Sequence, residues 1–392
     1  MANVSLPLKI EREQLIQSNS SKSLIAISNG QFGIDSSDSL QSSGLIMIDY
    51  NDEENPSIMI KDFALDNIDG SAGFSDQPSL YVSLSTIYVS NILLQRIDYS
   101  SSQQQLPTNS LLKFENFTNL TINGFKTSAL KQVGTLNLKQ LNDKIQSIQL
   151  QDLTINELYL NKADQNFLNS SGNQTIIKFI NCKIQNISNQ NGGGVFIDLK
   201  YIFKVQFSLE NCIFQDIDGF ESLFKIAANN VEISLNNCTF NNISTSRSIF
   251  DLYSEIAQIS IFKSNFIDFS ENSVLSELFA NKLNGQISIR TQECFFQIYI
   301  NTIDQPILKI NTANSYIDMG SQFQIKINFP ELQRFKLFQC TSCNLSITDS
   351  SFIFENLIQY QIPLLILADQ AVNVSVSNAT CNFALDQYYQ II

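Results

Sequence analysis

The chain alternates between short apolar segments and paired polar residues, and one unit shows the pattern clearly. The segment Val231–Ile243 reads Val-Glu-Ile-Ser-Leu-Asn-Asn-Cys-Thr-Phe-Asn-Asn-Ile. Its first half alternates with a period of two, which predicts a strand. The first Asn pair predicts a tight corner, because Asn tolerates the left-handed backbone conformation. Cys-x-Phe then predicts a second short strand, and the second Asn pair a second corner.

This unit recurs along the chain. With the Cys as an anchor, spacings run from 26 to 33 residues and most lie near 29. The residue two positions after the anchor is apolar in every unit. A further unit is expected around Gly30. The predicted anchors are Phe63, Ile92, Leu120, Leu153, Cys182, Cys212, Cys238, Ser264, Cys294, Phe323, Phe352 and Cys381.

A third apolar segment follows a variable polar loop in several units, as at 195–199, 248–253 and 306–310. Three short strands and three turns in about 29 residues are typical of one coil of a parallel β-helix. We therefore predict an all-β solenoid of about 12–13 coils over residues 25–392, with residues 1–24 as an N-terminal cap or lead-in. Strand twist and crossover chirality predict a right hand. The side chains expected to stack inside are Phe214, Phe240, Phe266 and Phe354.

A leucine-rich-repeat solenoid is the alternative, because the same apolar spacing fits a period of 20–29 residues. Two features count against it. Asn230 and Lys204 occupy a position that should be Leu, and the return segments are short and β-branched where helices are required. Only Ser270–Leu283 is long enough for a helix.

Two motifs carry a resemblance to known repeats. Asn237–Asn242 (Asn-Cys-Thr-Phe-Asn-Asn) and Gly192–Ile197 (Gly-Gly-Gly-Val-Phe-Ile) resemble the paired motifs of polymorphic-outer-membrane-type and pectin-lyase-like β-helix repeats. Similar repeats fill large surface proteins of protists. The resemblance covers roughly residues 25–392 and implies a right-handed β-helix located at the cell surface or outside the cell. Related hydrolases use clustered Asp residues, Gly-His-Gly and Arg-x-Lys, of which this chain has Arg334-Phe-Lys336 alone.

Composition narrows the possible partners and chemistry. The 37 acidic and 24 basic residues give a net charge of −13. This argues against nucleic acid or an anionic membrane as the main partner, since both require a basic surface. The chain has no His and no Trp. The missing His excludes catalytic triads, His-ligated zinc and an imidazole base.

Residue clusters that could carry chemistry are few, and we predict no catalytic, metal or cofactor-binding residues. Cys340 and Cys343 form a C-x-x-C pair without the further ligands that zinc requires. The acidic segment 49–54 lacks the central Gly and distal Glu of a calcium loop. Adjacent coils lie about 4.8 Å apart, so the aligned cysteines could meet disulfide geometry. The alternative is a ladder of buried thiols; the aligned cysteines are Cys182, Cys212 and Cys238.

The leading functional hypothesis is a non-enzymatic structural or adhesive rod within a larger cell-surface or secreted protein. The alternative is a carbohydrate-binding or carbohydrate-active β-helix, which three or more carboxylates on one face would favour. Twelve Asn-x-Ser/Thr sequons suit a secreted chain. The first residues lack a signal-peptide pattern, and the longest apolar stretch, Ile362–Ala368, is too short to span a membrane.

The expected partner is a protein or a glycan. Only eleven residues follow Cys381, which leaves the last predicted coil open. An open coil exposes unpaired backbone groups that favour association. The sequence therefore predicts an excerpt of a longer polypeptide, with end-to-end self-association as a possibility.

Overall fold

The computed structural model places every described segment in strands, turns and bends, with no helix among the described residues. The chain divides into two compact units, Met1–Ile202 and Phe203–Ile392. The described residues are 25–28, 33–34, 46–49, 57–61, 64–69, 80–83, 86–98, 110–131, 134–139, 145–160, 166–190, 193–269, 279–281, 286–300, 308–310, 315–327, 334–340, 343–357, 362–368 and 373–385.

The first unit contains fourteen described strands, and a fifteenth carries the chain into the second unit. The strands are β1 (Ile25–Ser28), β2 (Gly33–Ile34), β3 (Ile46–Asp49), β4 (Ser57–Lys61), β5 (Ala64–Asp69), β6 (Leu80–Ser83), β7 (Thr86–Asp98), β8 (Ser110–Glu115), β9 (Asn119–Lys131), β10 (Gly134–Lys139), β11 (Gln146–Gln151), β12 (Thr154–Leu160), β13 (Leu168–Ile180), β14 (Lys183–Asn189) and β15 (Val195–Glu210).

The second unit continues with fifteen described strands. They are β16 (Ile213–Ala227), β17 (Asn230–Asn236), β18 (Thr239–Tyr253), β19 (Ile256–Phe262), β20 (Asn265–Phe269), β21 (Phe279–Asn281), β22 (Gln286–Ile300), β23 (Leu308–Ile310), β24 (Ser315–Ile327), β25 (Arg334–Cys340), β26 (Cys343–Thr348), β27 (Ser351–Leu357), β28 (Ile362–Ala368), β29 (Asn373–Ser377) and β30 (Thr380–Leu385).

Each unit is a stack of parallel strands in register, which confirms the predicted β-solenoid and its period of about 29 residues. In the first unit the paired positions are Ile34, Ile60, Val89, Ile122, Leu150 and Phe179, which mark six successive turns. In the second unit seven turns are marked by Phe207, Ile233, Ile259, Ile289, Ile317, Leu345 and Val374. The predicted right hand stays a prediction.

The structure argues against the leucine-rich alternative, which requires helical return segments. Two of the three predicted third strands lie within β15 and β18, and the third is β23 over Leu308–Ile310. Phe279–Asn281, inside the segment considered for a helix, is a strand that pairs with Phe250–Leu252. The rest of Ser270–Leu283 lies outside the described residues, as does the predicted lead-in 1–24.

A column of stacked phenylalanines fills the core of the second unit. Neighbouring rings lie 4.8 to 5.0 Å apart between centroids and are nearly parallel. The predicted stacking of Phe214, Phe240 and Phe266 is confirmed. The prediction for Phe354 is wrong in register, because its backbone pairs with Ile325 and not with a member of this column. The full column is Phe214, Phe240, Phe266, Phe296, Phe323 and Phe352.

The predicted anchors after residue 300 are two positions late. Phe323 and Phe352 align with Phe296, which is itself two positions after the anchor Cys294. The structural equivalents of Cys294 are Ser321 and Ser350: Cys294 pairs with Ser321, whose backbone N–H bonds the Ser350 hydroxyl. The cause is one short turn, since Ser321 follows Cys294 by 27 residues and not by 29.

The predicted anchor Leu120 is also wrong. Ile92 pairs with Phe125, and the register of β12 with β9 aligns Leu153 with Phe125 as well. Leu120 instead belongs to the strand before the corner and pairs with Ile148. Both segments alternate apolar and polar residues, so their patterns are interchangeable by sequence. Gly124, with φ of +73°, forms the corner between them.

Left-handed residues form the corner immediately before most of the described anchors, as the Asn pairs predicted. Their φ values lie between 48° and 57°, and the non-glycine members are Asn91, Asp152, Asn181, Asn211, Asn237, Lys263, Glu293, Asp349 and Asn378. We call the row of these residues within each unit the corner ladder. Side chains of successive turns bond to each other along it: Asn237 Nδ2 donates to Asn211 Oδ1 at 2.8 Å, and Asn378 Nδ2 to Asp349 Oδ1 at 2.9 Å.

Replacing Asn237 with Ala is expected to lower the free energy of unfolding by about 1–3 kcal/mol. The alanine must adopt a left-handed conformation that costs about 1–2 kcal/mol, and the amide bond to Asn211 is lost. Asn237→Gly is the matched control, because glycine adopts this conformation freely. Chemical denaturation of the three proteins measures the difference. Equal losses in both variants would contradict a conformational role for Asn237.

Candidate functional site

An open groove of about 560 Å³ lies on the surface of the second unit, along the corner ladder. Both its walls and its floor come from three successive turns. The residues that line it are Arg290, Thr291, Gln292, Glu293, Cys294, Phe295, Asp318, Gly320, Ser321, Gln322, Thr348 and Asp349. We call it the corner groove.

The corner groove exists because one turn lacks its corner residue. Gln292 pairs with Gly320 and Cys294 with Ser321, so Glu293 has no counterpart in the next turn. On the other side, Met319 pairs with Ile347 and Gln322 with Ser351. Between these pairs, residues 320–321 of one turn lie opposite residues 348–350 of the next. Asp349 therefore also lacks a counterpart. Glu293 and Asp349 project from corners on either side of a turn that has none.

Gly320 forms the floor of the corner groove. A Cβ atom at this position would lie 3.4 Å from the Thr348 carbonyl oxygen and 3.5 Å from the Thr291 carbonyl oxygen. These are ordinary contact distances, so a Cβ atom would fit there. The absence of a side chain leaves space beside two carbonyl oxygens, of which that of Thr348 also accepts a hydrogen bond from the Ser350 hydroxyl at 3.1 Å.

The lining is acidic. Three carboxylates, Glu293, Asp318 and Asp349, stand against one cation, Arg290, which gives a formal charge of 1 − 3 = −2. Arg290 Nε lies 3.5 Å from Asp318 Oδ2, and Lys263 Nζ lies 3.7 Å from Glu293 Oε2. The Glu293 side chain is 55% exposed, so this second ion pair is open to solvent and weak.

Tyr316 stands near the corner groove on β24, two residues before Asp318. Residues two apart on a strand point to the same face. The tyrosine is 45% exposed and pairs in register with Ser288 and Asn344. An aromatic surface therefore lies beside the Arg290–Asp318 pair.

The buried groups beneath the corner groove are bonded to each other. The hydroxyls of Thr291 and Ser321 lie 2.8 Å apart. The Cys294 thiol donates to the carbonyl oxygens of Ile261 and Gln292, and burial raises its pKa. A buried thiol with a raised pKa is a poor nucleophile. Chemistry in the groove would therefore depend on its carboxylates.

The aligned cysteines are buried, hydrogen-bonded thiols. In the second unit, Cys238 Sγ donates to the Leu209 and Asn236 carbonyl oxygens. The neighbouring Cys212 side chain and burial raise the pKa of Cys238. In the first unit, Cys182 Sγ donates to the carbonyl oxygen of Ile180 in the same way. Of the two alternatives, the structure has buried thiols and no disulfide at these cysteines.

The other clusters considered from the sequence do not line the corner groove. Cys340 and Cys343 lie in β25 and β26, and Arg334-Phe-Lys336 lies in β25. Of the acidic segment 49–54, only Asp49 is described, at the end of β3. Across the described residues, no group of three or more Cys, Asp or Glu side chains could hold a metal ion.

The residues of the corner groove are not among those predicted from the sequence. The signal that could have revealed them is the 27-residue step from Cys294 to Ser321. Serine already occupied the anchor at Ser264, so it was an admissible anchor at 321 as well. With that register, Gly320 falls where a corner residue should be.

Comparison with protein-family models, curated proteins and solved structures finds no match for this chain. The parallel solenoid fold is therefore supported by the strand pairing of the structure. No relative supports the narrower pectin-lyase-like resemblance. Within the described residues, no helix has the length and apolar character to cross a membrane.

Proposed function

We propose that this solenoid is a structural or adhesive segment of a larger cell-surface or secreted protein. The observation that supports it most is the unbroken stacking within each unit. The seven marked turns of the second unit pair strand on strand, with the phenylalanine column running through six of them. Such a stack presents a long, regular surface, which suits spacing and attachment.

Exposed sequons fit a location outside the cell. Asn237 and Asn242 both begin Asn-x-Ser/Thr triplets and are exposed, as are Asn186, Asn344 and Asn378. Expression through the secretory pathway is expected to yield a glycosylated protein whose mass falls on treatment with an amidase that removes N-glycans. An unmodified product at all of these sites would argue against this location.

The test of the proposed role is attachment combined with a cleavage screen. Beads that carry the purified chain are expected to adhere to cell or glycan surfaces, while a panel of polysaccharides stays uncleaved. Heat-unfolded protein on the same beads is the control for non-specific adhesion. Absence of attachment to every surface would contradict the adhesive role, and cleavage of any polysaccharide would contradict the non-enzymatic one.

A carbohydrate-active solenoid is the second candidate, because the corner groove brings Glu293, Asp318 and Asp349 onto one surface. Glu293 and Asp349 are two turns apart, so their backbones are separated by roughly 10 Å. Retaining glycosidases hold their carboxylates only about 5 Å apart, whereas inverting enzymes use about 6.5–9.5 Å. A separation of this order is nearer to the inverting arrangement than to the retaining one. A hydrolase built on this pair is therefore expected to invert the anomeric configuration, and NMR of the first cleavage products would test this.

A further inference from the structure

We propose that the corner groove is a docking site for a protein segment that presents an exposed arginine or lysine. The proposal rests on the proposed adhesive function and names the partner chemistry. Three features support it: the charge of the lining, the backbone acceptors opened at Gly320, and the tyrosine beside the groove.

The charge of the lining favours a cation. Glu293 and Asp349 flank the floor, and neither carboxylate has a close, buried cation beside it. Lys263 Nζ lies 3.7 Å from Glu293 in an ion pair that is exposed to solvent. Among its described side-chain bonds, Asp349 accepts one from the neutral Asn378 amide. A guanidinium or ammonium group in the groove would pair with one of these carboxylates and be attracted by the other. The acidic surplus of the whole chain would steer a basic segment towards it.

The floor favours a donor. At Gly320 the carbonyl oxygens of Thr291 and Thr348 border the space that a side chain would fill, and the Thr348 oxygen, which accepts one bond from the Ser350 hydroxyl, keeps a second lone pair. Arginine and lysine carry several N–H donors and no acceptor, so they can bond to carboxylates and carbonyls together. A uronate or a phosphate would bring acceptors to the same oxygens and would be repelled.

Tyr316 adds an aromatic surface near the carboxylates. Cations are attracted to aromatic faces, and the planar guanidinium of Arg also stacks on them. Because Tyr316 and Asp318 share one face of β24, a segment crossing this face could place a basic side chain in the groove and a second one over the ring.

The test is binding of a fluorescent peptide of alternating Arg and Gly residues, measured by anisotropy at low and high salt. The unmodified chain is expected to bind at low salt and to lose affinity as salt rises. Chitosan oligomers and oligogalacturonate serve as cationic and anionic glycan probes. Binding of either glycan without binding of the peptide, or binding of no probe, would overturn the proposal.

Two variants localise the binding. Glu293→Gln with Asp349→Asn removes both flanking charges and is expected to weaken peptide binding roughly tenfold, as the loss of two partly exposed ion pairs predicts. Gly320→Asn puts a side chain on the floor and is expected to weaken binding at least as much. Glu210→Gln with Glu255→Gln is the control, because both carboxylates are exposed in the second unit and neither lines the groove.

Circular dichroism and thermal melting show whether each variant folds. Folded variants that bind the peptide as tightly as the unmodified chain would overturn the proposal. The bead-attachment assay distinguishes a wrong docking site from a wrong adhesive function. If Gly320→Asn beads adhere as strongly as unmodified beads, only the docking site is wrong; if unmodified beads never adhere, the adhesive function is wrong.

Discussion

Replacing Phe240 with Ala is expected to lower the free energy of unfolding by about 3–5 kcal/mol, as for other fully buried phenylalanines. Its ring lies between Phe214 and Phe266, with centroids 5.0 Å away on each side, and no part of it is exposed. Truncation leaves a cavity in the middle of a column whose other rings are held by β-sheet register. Equilibrium denaturation measures the loss.

Ile256→Ala is the matched control for this cavity. Ile256 lies in β19, in the same unit, but its side chain is 43% exposed. Its truncation is expected to change stability by less than about 1 kcal/mol, since little apolar area is lost from the interior. Similar losses in the two variants would show that the column contributes no more than the surface does.

A second large effect is expected at alkaline pH, from Tyr201 in the first unit. Burial raises the pKa of Tyr201 to about 12. Its hydroxyl donates to Gln146 Oε1 at 3.0 Å and lies 2.5 Å from Ser170 Oγ. Between pH 10 and 12 the unfolded chain releases this proton and the folded chain keeps it, so stability falls as pH rises. Two pKa units correspond to a loss of about 2.7 kcal/mol.

Tyr201→Phe separates this titration from that of other groups. The variant loses about 1–2 kcal/mol at neutral pH, because buried polar atoms of Gln146 and Ser170 lose a partner. Its stability is then expected to fall less steeply than that of the unmodified chain between pH 10 and 12. Parallel curves over this range would contradict a buried, protonated Tyr201 in the folded state.

Much of the fold could be predicted from local pattern. Alternation identified the strands, and the Asn pairs identified the corners because left-handed backbone selects a few residue types. The phenylalanines at 214, 240 and 266 follow from this pattern directly. These features depend on neighbours along the chain, which a single sequence displays.

The register errors have a different origin. Leu120 was assigned to the wrong strand because two consecutive strands of one turn have the same alternation, and only pairing with other turns tells them apart. The anchor Phe323 lies two positions late because the spacing was extended by 29 residues from Cys294, where the structure has a step of 27. The corner groove was missed for the same reason, since its defining feature is a residue that is absent.

The missing corner residue beside Gly320 changes the surface of the solenoid without changing the packing of its core. The registers resume on both sides of the short turn, with Phe296, Phe323 and Phe352 still stacked. A single-codon deletion at a corner can therefore reshape the exterior while the interior stays unchanged. In such a chain, the number of residues per turn determines the shape of the surface, and the residue types in the core determine the stability. Surface relief could then diversify through changes in length alone, without any substitution in the core.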